Sequence, residues 1–185
     1  MKLSKIGALC RAAKHFIIYR SRDGRQWLSD GYAIFPLKDM PLLSADNVLT
    51  IFDVPEEKRG RMLTEETDKL PDSLDLSDSV DDEIGLTQVP MVIRYRGAAY
   101  SPFFARGRVI FVECKYLSCF GDSVELFARM LSSEKMYVAV KKGFFLQGVI
   151  LPAEVASEQL ASWLSDMGEA VADEVQPKEL DTSDI

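Results

Sequence analysis

Apolar positions recur at three- and four-residue steps near the start of the chain. Leu3, Ile6, Leu9, Cys10 and Ala13 fall on one face of a predicted helix, with Ser4, Ala8, Arg11 and His15 opposite and Lys5 and Lys14 flanking. The period then changes. HFIIYRS and RQWLS read as two strands joined at the Asp23-Gly24 turn signal, and Asp30-Gly31 leads into a third, YAIFPL. A second series begins near residue 91. VPMVIRY and AAYSPFF flank Arg96-Gly97, RVIFVE follows, and KYLSCFGD reads as a short helix stopped at Gly121. VELFARML, MYVAVKK and FFLQGVILP give three more strands, with a turn at Lys142-Gly143, and Pro152 ends them. Leu160, Trp163, Leu164, Met167 and Val171 make an apolar stripe, so an amphipathic helix is predicted over 153–175, with frayed polar residues beyond it.

Helix-strand-strand-strand thus occurs twice, and the second occurrence is preceded by a strand. The order predicts an α+β domain of two related halves, with two helices side by side on one face of antiparallel sheet. Residues 1–155 form the predicted domain, and 156–185 a C-terminal amphipathic helix and polar tail. Between the halves lies an acidic insert, 39–90. LSADNVLTIFDVPEEKRGRM has room for one or two short helices, with Ser44 or Asp46 as a cap. The acid-rich, aromatic-poor run 64–87 predicts a mobile, solvated loop. Its DSLDLSDSVDDE lacks the alternate carboxylates and central glycine of an EF-hand.

Charge sharpens this division. The net charge is -7, but eight basic residues face two acidic ones in 1–38, and nine face four in 91–152. In 39–90 fourteen acids face four bases, and in 153–185 nine face one. Two basic blocks alternate with two acidic ones, and the local field is what a polyanion meets. No apolar run approaches the roughly 18 residues of a membrane-spanning helix. MKLSKIGALCRAAK carries charges through its apolar part and makes a poor signal peptide. Three cysteines without scaffold spacing fit a reducing compartment, so a cytoplasmic protein is expected.

No catalytic constellation can be assembled from these residues. His15 is the sole histidine and ends a helix, and no Gly-rich phosphate loop, GxSxG elbow or HExxH occurs. The carboxylates concentrate in segments predicted to be mobile, where burial cannot tune them. The expectation is a non-enzymatic protein without cofactor or metal. Cys114 and Cys119 lack a second pair, and a tetrahedral zinc site would have to recruit both Cys10 and His15. The simpler reading ends a strand at Cys114 and packs Cys119 as a small apolar group beside Tyr116, Leu117 and Phe120.

Three stretches carry a likeness to a known family. VECKYLSCFGD resembles the strand-into-helix segment of the domains of the bacterial sliding clamp, the β subunit of DNA polymerase III, where a pair such as Tyr116-Leu117 opens the second helix. WLSDGYAIFPL is similar to the clamp strand pair joined by an Asp-Gly turn. MYVAVKKGFFLQGVILPAEV resembles the final hairpin of the last clamp domain, with Leu151-Pro152 where the family has a short Met-Pro motif. The likeness covers roughly 1–38 and 91–155, and a clamp domain is likewise two β-α-β-β-β units. Departures are the single domain where the family's subunit has three, the large insert, and Glu154 where Arg is usual.

The resemblance implies a DNA-replication accessory that associates with duplex DNA or a polymerase without sequence preference, pared down as a phage or mobile element would carry it. Lys5, Arg11 and Lys14 on the first helix, Lys115 on the second, and Arg20, Arg22 and Arg25 on the hairpin would meet phosphates. Leu151, Pro152 and Val155 would line a peptide pocket. A ring would require a homo-oligomer joined through sheet edges. The alternative is a protein-interaction module of the same fold that does not bind DNA, its basic residues forming an ordinary solvated helix face.

Overall fold

The structure, a computed structural model, describes residues 2–21, 24–71, 74–121, 123–131 and 135–153. The first predicted series forms α1 (Leu3–Ala13), β1 (His15–Arg20), β2 (Gln26–Ser29) and β3 (Ala33–Pro36). α1 ends at Lys14, whose left-handed φ of 56° turns the chain while its N–H bonds back to the Arg11 and Cys10 carbonyls. The insert supplies α2 (Val48–Ile51), α3 (Glu56–Arg59), β4 (Leu63–Thr67), β5 (Ile84–Gly85) and β6 (Thr87–Gln88). The second series follows as β7 (Ile93–Tyr95), β8 (Ala98–Ala105), β9 (Arg108–Glu113), α4 (Cys114–Leu117), β10 (Glu125–Met130), β11 (Met136–Lys142) and β12 (Phe145–Ile150).

The fold is α+β, with one large mixed sheet and one small antiparallel sheet. The large sheet runs β4-β1-β2-β3-β12-β11-β10-β5. Its middle is a seam where β3 meets β12 antiparallel, Ile34 opposite Val149 and Ala33 opposite Ile150. On either side of that seam lies one three-stranded meander, so the two sequence halves meet as like units. In the small sheet β8 pairs with β6, β7 and β9.

Alternation along the strands sorts apolar side chains onto two faces. Phe16, Ile18, Leu28, Phe35, Val138, Val140 and Ile150 join one cluster with Ile6, Leu9 and Cys10 of α1, with Tyr116, Cys119 and Phe120, and with Phe103, Ile110 and Val112 of the small sheet. Both helices therefore serve the same face of the large sheet. α4 is a single turn within the short helix expected at KYLSCFGD. Two points differ from expectation: the large sheet is mixed because β4 runs parallel to β1, and the run 64–87, expected as a mobile solvated loop, supplies strands β4 and β5 and leucines that pack on the sheet. The helix predicted over 153–175 and the tail lie outside the described residues.

The opposite face is covered by the insert. Leu70, Leu74 and Leu76 pack with Trp27, Ile34, Tyr137, Ala139, Leu146 and Val149. Composition drew attention to the acids of 64–87, whereas the leucines spaced among them are what reach the sheet. A strap results, and Arg129 pins it. This guanidinium is 1% exposed. It donates to the carbonyls of Asp75 at 3.0 Å and Ser77 at 2.9 Å, and forks onto the Glu83 carboxylate at 3.0 and 2.7 Å. Lys141 pairs with the same carboxylate. Burial works to raise the Glu83 carboxyl pKa, but the bonds from Lys141 and Arg129 and their charges prevail and hold it below the ordinary value. Tyr137 donates its hydroxyl to the Asp75 carbonyl at 3.0 Å. With β4 on β1 and β5 on β10, the insert also flanks both ends of the six-stranded core.

Candidate binding surfaces

The two-helix face is tied together across the chain. The Lys2 N–H donates to the Cys119 carbonyl at 2.8 Å, joining the start of α1 to the turn after α4. Tyr116 donates its hydroxyl to the buried Asp30 carboxylate at 3.0 Å, and the other Asp30 oxygen accepts the N–H groups of Tyr32 and Ala33, each at 3.0 Å. Burial, followed by the charge of Asp30 and this bond, raises the Tyr116 pKa. Burial also raises the Cys10 thiol and pushes Cys119 up to about 11. Both thiols are therefore protonated packing groups rather than nucleophiles. Cys114 Sγ lies 3.4 Å from Ser101 Oγ. His15 Nε2 faces Glu65 at 3.1 Å, and among the described residues no three His, Cys, Asp or Glu side chains gather as metal ligands.

The basic residues singled out from the sequence divide by their partners. Lys5, Lys14 and Lys115 are exposed. Lys115 pairs with Glu113 at 2.8 Å and lies over the Tyr116 ring. Arg11 donates to the Phe52 carbonyl of the insert at 2.5 Å. Arg20 donates to the Leu43 carbonyl at 2.6 Å and pairs with Glu66 at 2.8 Å. Arg25 is exposed before β2, and Arg22 lies outside the described residues. Ser4, Ala8 and Ala12, one helical turn apart on the outward side of α1, are exposed, small and neutral. The acceptors of Arg11 and Arg20 are supplied by the insert folding back, which no local spacing announces.

Leu151 and Pro152 line a cavity of about 550 Å³ with Tyr32, Tyr100, Glu113 and Lys115. Val155 lies outside the described residues. The Ala153 N–H bonds to the Phe111 carbonyl at 2.9 Å, so the chain leaves the described domain beside β9.

A third surface is absent from the sequence expectations. β11 and β12 are joined by the two-residue turn Gly143-Phe144, where Gly143 takes a φ of 58°. Phe144 is 87% exposed, Phe145 61% and Leu42 63%. Between this hairpin and residues 36–42 runs a groove of about 580 Å³, floored by Trp27, Pro36 and Leu146. Arg25 and Lys38 line it, with Lys38 Nζ 5.7 Å from the Phe145 ring centre, and Lys142 is exposed on the hairpin. Two acids, Asp39 and Asp78, also line it, and the Asp78 carboxylate accepts the Leu146 N–H at 2.8 Å. The available signal was Phe-Phe directly after a turn glycine, where polar residues are usual. No known protein family, no curated protein and no solved structure matches the chain.

Proposed function

We propose that the chain is a non-enzymatic protein-interaction module of clamp-like build, and that its working surface is the groove beside the β11–β12 hairpin. Two helix-bearing halves joined at a β3–β12 seam, with both helices on one face, support the clamp-like build. The observation that carries the interaction reading is the exposure of Phe145 and Leu42 on the lining of a single groove, with Phe144 exposed in the adjoining hairpin turn. Clustered aromatic surface this open marks a site that a partner buries. Arg25 and Lys38 line the groove against Asp39 and Asp78, so apolar contact rather than charge sets the complement, an apolar helix stripe on a polymerase or another replication protein.

Sequence-independent contact with duplex DNA is the second reading, favoured by the exposure of Lys5, Lys14 and Lys115 on the two-helix side. Three phosphate contacts give a log–log salt slope of about -2.7, or roughly 40-fold weaker binding at 200 mM than at 50 mM salt. Anisotropy of a labelled duplex separates the two. Under the interaction reading the full chain shows no saturable binding at 50 mM salt. Binding with the stated slope, lost in Lys5→Glu/Lys14→Glu/Lys115→Glu, would establish the DNA reading instead.

A further inference from the structure

The β11–β12 turn and the groove beside it place a projection and a depression on one continuous patch. Phe144 stands in the turn, outside the groove lining and 87% exposed, while Phe145 belongs to the lining. The floor of Trp27, Pro36 and Leu146 is apolar, and about 580 Å³ leaves room for a phenyl ring. A projecting ring beside a hole for one is the geometry of an isologous contact. A two-fold axis midway between them sets each Phe144 over the groove of the other copy.

Charge suits the same pairing. Among the described residues on the lining, Arg25 and Lys38 stand with Asp39 and Asp78. A lining of one sign would repel its own copy, whereas this one balances and offers each sign to the other across the axis. Size sets the strength. At the exposures of Phe144, Phe145 and Leu42, one copy contributes about 400 Å² of apolar surface and the pair about 800 Å². That lies below the roughly 1,200 Å² of stable complexes, in the range of weak, reversible association.

We propose that the isolated protein self-associates as a weak two-fold dimer in which each Phe144 enters the partner's groove, and that a helix bound in the groove dissociates it. This rests on reading the groove as a docking site and names a second copy as an occupant. Sedimentation equilibrium of the full chain at about 1–500 μM tests it, with a dimer Kd on the order of 10 μM expected. The weight-average mass then climbs with concentration from 20.8 kDa toward twice that value. Phe144→Ser weakens the dimer about 10-fold or more. Its melting temperature in dilute solution is unchanged, since the side chain is exposed in the single chain.

Lys38→Glu and Asp39→Lys each leave the lining dominated by one sign, and each weakens the dimer because a two-fold axis presents every change twice. An equimolar mixture of these two variants associates about 10-fold more tightly than either alone. A chain monomeric at every concentration overturns the proposal. So does a dimer indifferent to Phe144→Ser, which places the contact elsewhere, or a mixture no tighter than its components, which removes the two-fold pairing. Partner capture is read separately. A monomer that still retains a partner through the phenylalanines loses the dimer and keeps the groove, and a dimer that captures nothing does the reverse.

Discussion

Replacing Arg129 with alanine lowers the free energy of unfolding by about 3–5 kcal/mol, read by urea denaturation. The loss is large because the guanidinium is almost fully buried and holds several acceptors at once. Without it the Ser77 carbonyl loses its donor, the Asp75 carbonyl keeps only the Tyr137 hydroxyl, and Glu83 keeps only Lys141. The strap also loses its pin to β10, so Leu74 and Leu76 lie over the sheet with less to hold them. Arg129→Lys keeps the charge but cannot fork, and falls between the two. A loss below about 1 kcal/mol in the alanine variant would show that the strap is not held by this residue.

Gly148→Ala is expected to cost about 3 kcal/mol and to lower the melting temperature by about 10 °C. A Cβ at this position would lie 2.8 Å from the Ile34 carbonyl oxygen and 3.1 Å from the Phe120 ring. The first is backbone in the facing strand of the seam and the second is packed on Phe35, so neither yields easily. Gly85→Ala in β5, with nothing within 4 Å of the added carbon, serves as the control and should stay within about 0.5 kcal/mol. Equal melting of the two variants would mean that the two meanders are not packed closely where they join.

The core strands of both halves were legible because alternation and turn dipeptides are local signals. HFIIYR, AIFP and MYVAVKK each place successive side chains on opposite faces of the sheet, as the pattern predicts. FFLQGVILP was legible as a strand but not in its facing. A register shift opposite Val140/Lys141 sets Leu146 and Val149 on the same face although they are three residues apart. It also frees Phe145 to stand at the groove. The insert was the least legible part. Its leucines are sparse, and they gain meaning only when Trp27 and Tyr137 lie beneath them. The roles of Arg11 and Arg20 were equally hidden, since main-chain carbonyls of a distant segment carry no sequence signature. Tyr116 was placed correctly on the inner side of its helix, but its bond to Asp30 spans 86 residues and follows only from the fold.

The most direct test of the groove as the working surface is capture by the immobilised full chain from a lysate of the organism that encodes it. The unmodified chain, Phe144→Ser/Phe145→Ser and Lys5→Glu/Lys14→Glu/Lys115→Glu are compared, with retained proteins identified by mass spectrometry. The expected outcome is a partner bearing an apolar helix stripe, held by the unmodified chain and by the lysine variant and lost from the phenylalanine variant. Retention that ignores the phenylalanines, or that disappears only with the lysines, would contradict the account.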